Sequence, residues 1–313
     1  MSSVSRIVCK LATKPIRWWE RNRPYAMRSR YRRLPSLAVV PGDMRFIVLT
    51  TPRTLNEALW TAWSWYRFLR ELPCRLLLVV DGELTRRQEA AAERLFPGVA
   101  IESAEWACNY VRPRIPGVQL FYEREPEGRK LAQILAWSDR GPLIFADCDV
   151  LAFQRPHEML AAIEREVPCH FVDESHGEQD DRIAERAKQL GVEYVPKLSC
   201  GLFYLPQGSL PIRTAGQITA TWRARKESSF SARTVLSFLL QKPDVVALPP
   251  ERYVVGPCRQ FGRESNLDDT SIAARYFTGP ARQAMYTFGM PVLLRQSREW
   301  LNESGADTRR LAS

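Results

Sequence analysis

The decapeptide Gly141-Pro142-Leu143-Ile144-Phe145-Ala146-Asp147-Cys148-Asp149-Val150 reads as a buried strand that runs out into two aspartates. A Gly-Pro turn opens it, and the apolar run Leu143-Ile144-Phe145 suits a strand covered on both faces. Strand side chains alternate, which predicts that Asp147 and Asp149 project to the same side. Two carboxylates converging there suit a hard cation such as Mg²⁺ or Mn²⁺, which takes oxygen ligands. In open α/β sheets ligands gather outside the carboxyl ends of the strands, where this pair falls. A strand ending in an ordinary polar turn has the same residues, so the flanking chain must decide.

Upstream, Arg45-Phe46-Ile47-Val48-Leu49-Thr50 is rich in β-formers and predicts a first buried strand, followed by the polar loop Thr51-Pro52-Arg53-Thr54. Leu55, Leu59, Ala62, Trp63, Tyr66 and Leu69 then recur at helical spacing. A second strand over 75–80 closes on Asp81-Gly82, and a helix over 85–95 takes Thr85 as its N-cap. Pro97-Gly98 stops it before a short third strand, Val99 to Glu102. Such a β-α-β-α-β run predicts a parallel, doubly wound sheet. The stretch 106–128, with its prolines and glycines, is expected to be irregular. A helix over 129–138, with Leu131, Ile134, Leu135 and Trp137 inward, leads into the Asp-Cys-Asp strand. That strand is then the fourth of a nucleotide-binding type of sheet.

Downstream the spacing predicts helices over 157–165, 179–189 (ended by Gly191), 212–226 and 232–240. Strands are predicted over 170–173, 197–205 and 245–250, and a helix-like stretch closes the chain. With no repeats and no low-complexity tract, residues 44–313 read as one compact α/β domain.

The formal charge of +10 is unevenly distributed. Residues 1–35 hold ten Lys/Arg against one acid, a surplus of nine, which leaves about +1 for the rest. The charge therefore belongs to a basic arm, residues 1–43, and the body is not expected to bind nucleic acid. Trp18, Trp19, Tyr25 and Tyr31 interleave with the arginines, a pattern that fits an anionic membrane surface; a solvated tail has the same composition. No apolar run in the arm is long enough for a signal core or a span. The seven cysteines show no Cys-x-x-Cys and no framework spacing, which points to a reducing cytoplasm, with the arm at the inner membrane face.

Four blocks between Met44 and Gly289 resemble the GT-A type glycosyltransferases, the nucleotide-diphospho-sugar transferase superfamily, near its glycogenin-like branch. They are Phe46 to Arg53; Lys130-Leu131 with the strand Leu143 to Pro156; Ser199-Cys200-Gly201-Leu202-Phe203; and Tyr276-Phe277-Thr278-Gly279-Pro280-Ala281-Arg282. The resemblance implies a Rossmann-like fold and hexosyl transfer from a nucleoside-diphosphate sugar, a UDP-sugar foremost, to a sugar, lipid or protein acceptor. It also implies Mn²⁺ or Mg²⁺ on Asp147 and Asp149. Lys130 and Arg282 would share the diphosphate charge, Gly201 would lie on the acceptor side, and the nucleotide would lie over Thr50, Thr51, Arg53 and Asp81. Tyr276 stands where the branch carries a third metal ligand, a histidine, and Ser199 stands for its asparagine. Arg275 is then the candidate for a fixed positive charge beside the aspartates.

An inverting reaction also needs a carboxylate near the acceptor hydroxyl. Asp173 and Glu174 follow a predicted strand and are the candidates, with Asp268 and Asp269 behind them. Two other readings stay open. A haloacid-dehalogenase-like phosphatase would use Asp147 as nucleophile, although that motif usually lies on a domain's first strand. A catalytically degenerate binding or scaffold protein would account for the missing histidine.

Overall fold

The computed structural model describes residues 26–115, 126–174, 188, 189, 191, 193–211, 214–216, 232–240, 245–255 and 271–310. Its centre is a seven-stranded sheet in the order β3-β2-β1-β4-β7-β6-β8. In chain order these are β1 (Met44–Thr50), β2 (Cys74–Val80), β3 (Ala100–Ser103), β4 (Leu143–Asp147), β6 (Cys169–Val172), β7 (Leu198–Leu205) and β8 (Val246–Ala247). β1, β2, β3 and β4 are mutually parallel, and β7 runs against both of its neighbours. The mostly parallel α/β sheet expected from the sequence is thus present. A second sheet joins β5 (Val150–Ala152), β10 (Ala274–Tyr276) and β9 (Tyr253–Val255).

Alternation along the strands divides the core between the two faces. Phe46, Val48, Leu76, Leu78, Ile144 and Ala146 pack on one side with helix α1 (Leu55–Leu69). Ile47, Leu77, Val79, Leu143 and Phe145 pack on the other. There they meet α3 (Ala104–Val111), α4 (Pro126–Arg140) and α5 (Ala232–Leu239). Helix α2 (Arg86–Leu95) begins on a capping box: Gln88 N–H donates to Thr85 Oγ1 at 3.4 Å, and Thr85 N–H donates to Gln88 Oε1 at 2.9 Å. Among the described residues, no helix is long and apolar enough to cross a membrane.

Two expectations change. The first part of 106–128 is not irregular, because α3 forms there with Ser103 as N-cap, accepting from Glu105 N–H at 3.2 Å. The turn-formers that suggested a loop all follow the helix, which ends before Pro113. Helix α4 starts at Pro126 rather than 129, as proline is tolerated in a first turn. The predicted helices over 179–189 and 212–226 lie largely outside the described residues, as do Asp268 and Asp269.

Residues 26–43 pack on the body. Met27, Tyr31, Leu34 and Leu37 are buried, and Tyr31 is therefore a core side chain rather than an interfacial one. Leu37 N–H donates to Leu95 O at 2.8 Å, Val39 N–H to Pro97 O at 2.8 Å, and Trp63 Nε1–H to Pro35 O at 3.0 Å. A chain cut before residue 44 should lose on the order of 5 kcal/mol from those four apolar side chains, read from thermal melts against the full chain.

Candidate active site at the Asp-Cys-Asp turn

Asp147 is the last residue of β4, and Cys148-Asp149 form a turn into β5. The two aspartates do converge, but through that turn rather than by alternation along one strand. Helix α1 holds the turn from behind. Thr61 Oγ1 donates to Cys148 O at 2.9 Å and Trp65 Nε1 to Val150 O at 3.0 Å; Ala152 N–H donates to Ser64 Oγ at 3.0 Å. Arg67, buried, donates to Ala152 O at 3.3 Å and Phe153 O at 2.9 Å, and desolvation lowers its pKa to about 10. From the far side, Phe277 N–H donates to Asp149 O at 2.9 Å.

Lys130 Nζ, from the first turns of α4, sits 2.7 Å from Asp147 Oδ2. Burial works to lower this ammonium's pKa, but Asp147 foremost, then Cys200 and Glu127, raise it overall. Tyr276 O–H donates to the same carboxylate oxygen at 2.8 Å. Burial and both aspartates push this phenol well above its ordinary range, so it is held as a donor and not as a phenolate ligand. Arg282 Nη2 lies 3.5 Å from Asp149 Oδ2 and 3.6 Å from Cys148 Sγ. Burial, then the neighbouring Asp147 carboxylate, push Asp149 up to about 7 against the pull of Arg282 and Lys130.

The other predicted residues divide clearly. Thr50, Thr51 and Arg53 end β1 and begin its loop, and Asp81 follows β2, so all four share the carboxyl edge with Asp147. Thr54 Oγ1 ties the loop together, accepting from Thr51 N–H at 3.0 Å and bonding Thr50 Oγ1 at 3.1 Å. Asp81 pairs with Arg129, which the sequence reading passed over for Lys130. Gly201 lies beside the site because the Tyr276 ring covers it, and a Cβ there would overlap that ring. Asp173 follows β6, which is parallel to β4 through the intervening β7, so it reaches the same edge; Arg233 Nη1 stands 3.7 Å from its Oδ2. Glu174 is exposed.

Arg275 precedes Tyr276 in β10, so alternation points it to the face opposite the Tyr276 side chain, and its guanidinium lies 5.2 Å from the Phe277 ring centroid. Arg282 takes the place expected for it beside Asp149. The sequence reading also missed Glu57, 2 % exposed, which is bonded by Arg28 and Tyr286. The available signal was that Glu57 and Arg67 are the only charged residues in α1, a helix otherwise filled with apolar and small side chains.

No protein-family model matches the sequence, and neither does any curated relative. Solved structures do match. The galactosyltransferase LgtC, in complex with donor and acceptor sugar analogues, superposes with a TM-score of 0.50 at 13% identity, over 76% of this chain and 88% of LgtC. Mouse xyloside xylosyltransferase 1 gives 0.50 at 10% identity, over 75% and 98%. The fold is that of a GT-A type glycosyltransferase. The bifunctional glycosyltransferase WbbM shares the GT-A fold with a TM-score of 0.50 at 11% identity, over 77% of this chain and 46% of its own. On this GT-A frame, the Asp-Cys-Asp turn occupies the carboxyl edge of β4.

Metal fit can be judged from the donor set. Among the described residues no group of three or more Asp, Glu, His or Cys could hold an ion. Two neighbouring carboxylates remain, with Lys130 and Tyr276 both on Asp147 Oδ2. That set suits a hard cation whose remaining ligands come from a bound polyanion.

Two variants probe this arrangement. Gly201→Ala should push the Tyr276 ring off Asp147 and cost about 1–3 kcal/mol, read from a denaturant melt. For Asp149, a raised folded pKa means the native state holds the proton more tightly than the unfolded chain. Its contribution therefore favours the fold at low pH and is lost as pH rises through about 7. Asp149→Asn should melt several degrees above wild type near pH 8, with the difference shrinking toward about pH 4.

Proposed function

We propose that this protein transfers a hexose from a nucleoside-diphosphate sugar, taken as a UDP-sugar, to a sugar, lipid or protein acceptor. One observation carries the reading: two carboxylates and two cations, Asp147, Asp149, Lys130 and Arg282, converge on one turn at the carboxyl edge of a GT-A sheet. Asp147 and Asp149 would hold Mn²⁺ or Mg²⁺, which supplies Lewis-acid stabilisation of the departing diphosphate when bound. Lys130 and Arg282 place fixed positive charge beside the same phosphates, where leaving-group charge grows as the glycosidic bond breaks. Thr50, Thr51, Arg53 and Asp81 form the adjoining edge for the nucleoside. Asp173 is the carboxylate available to take the acceptor proton if the outcome is inverting. The arm keeps Arg30, Arg32 and Arg33 exposed, and an anionic inner membrane face is the partner that suits them.

The phosphatase alternative loses ground, since the Asp-Cys-Asp strand is neither first in the chain nor set in a phosphatase fold. The scaffold alternative makes a different prediction. Calorimetry with UDP and GDP, with and without Mn²⁺, should show one nucleotide bound with metal; no heat from either sinks the transferase reading. Binding without hydrolysis of any labelled UDP-sugar or GDP-sugar supports the scaffold instead. Asp147→Asn and Lys130→Gln should each lower turnover by on the order of a hundredfold. Assays in chelator then report how much of the phosphate charge Lys130 and Arg282 carry alone.

A further inference from the structure

Glu57 lies in the first turn of α1, its side chain 3 % exposed, and it is engaged from two directions. Arg28 of the basic arm approaches it with Nε 2.6 Å from Oε1 and Nη2 3.0 Å from Oε2. Tyr286 O–H donates to Oε1 at 2.6 Å. Arg28 also donates to the carbonyl of Arg53, in the loop after β1, and its own carbonyl accepts from Trp60 Nε1 at 3.2 Å. One arginine of the arm therefore grips both the loop assigned to the nucleoside and the helix that holds the Asp-Cys-Asp turn.

Helical spacing links this cluster to the aspartates. Tyr286 lies four residues after Arg282 along a helical segment, which puts both on one side of it. That segment passes through a π-helical turn over Met285–Gly289, a local irregularity common beside functional sites. Arg282 in turn lies 3.5 Å from Asp149 and 3.6 Å from Cys148 Sγ. Burial works to lower the Arg282 pKa, while Asp149, Cys148, Tyr286 and Glu57 raise it overall. A buried ion pair adds little net stability over apolar residues of the same size. Stability of the fold is thus a weak account of an Arg-Glu-Tyr cluster at this place.

We propose that Arg28 and Glu57 are positioning residues: the basic arm closes on the first turn of α1 and, through Glu57 and Tyr286, holds Arg282 against Asp149. Arm docking then sets how well the site receives a diphosphate. This rests on the transferase reading for its ligand, while the Arg28–Glu57–Tyr286 bonds and the Arg282–Asp149 pair do not.

The test uses the full chain with UDP and Mn²⁺ as the probe. Arg28→Gln and Glu57→Gln should each weaken UDP affinity roughly tenfold, the lower end of what outer positioning partners of a metal site contribute. Neither should weaken it further in an Arg282→Gln background, because their effect passes through that guanidinium. A purely structural role would instead lower the melting temperature and weaken binding equally in both backgrounds, and that result overturns the proposal. So does unchanged affinity in the single variants. Where the charge variants do not fold, Tyr286→Phe removes one hydroxyl and should weaken UDP binding several-fold; no change overturns the proposal. Absence of UDP and GDP binding in wild type sinks the transferase reading alone. A crystal structure of Arg28→Gln then decides the positioning role: Arg282 withdrawn from Asp149 supports it, and Arg282 in place overturns it.

Discussion

The arrangement of this site depends on how α1 captures the backbone that follows Asp147. A turn between two strands of different sheets leaves carbonyls and amides that neither sheet can satisfy, and burying them unpaired is costly. Thr61, Ser64, Trp65 and Arg67 satisfy Cys148 O, Ala152 N–H, Val150 O and the carbonyls of 152 and 153. Each belongs to a helix buried on nearly all sides, so none can swing away to solvent. The turn is held on the other side by β10 and Phe277 N–H. Asp147 and Asp149 are therefore held close together, because their backbone has been given no other course.

Electrostatics follow from that enforced proximity. Two partly buried carboxylates repel, and the surrounding residues answer with Lys130 and the Tyr276 hydroxyl on Asp147 and Arg282 on Asp149. Asp149 still carries a raised pKa, which marks unrelieved cost in the protein as it stands. Cost of this kind is relieved by added positive charge or by protonation.

Much of the architecture is legible along the chain. Apolar runs with β-branched residues mark β1, β2 and β4, helical spacing marks α1, and Thr85 with Gln88 marks the start of α2. These are local patterns with local causes. Helix α3 was obscured because the prolines that end it dominate the reading of its neighbourhood. Tyr31 looked like an interfacial aromatic because composition does not reveal which side of a basic turn meets a core.

Residue types and their order determined the alternation of strand and helix, the two aspartates at a strand end, and the confinement of charge to the arm. Tertiary structure decided which cation stands beside which carboxylate. Arg275 and Arg282 are alike in composition, and only pairing with β5 sends the first to the far face while a helical segment brings the second to Asp149. Glu57, Arg28 and Tyr286 are far apart in sequence and meet only because the arm, α1 and the C-terminal segment pack together. Long-range contacts leave no periodic trace in the chain, and so the network around the aspartates became visible only in the folded protein.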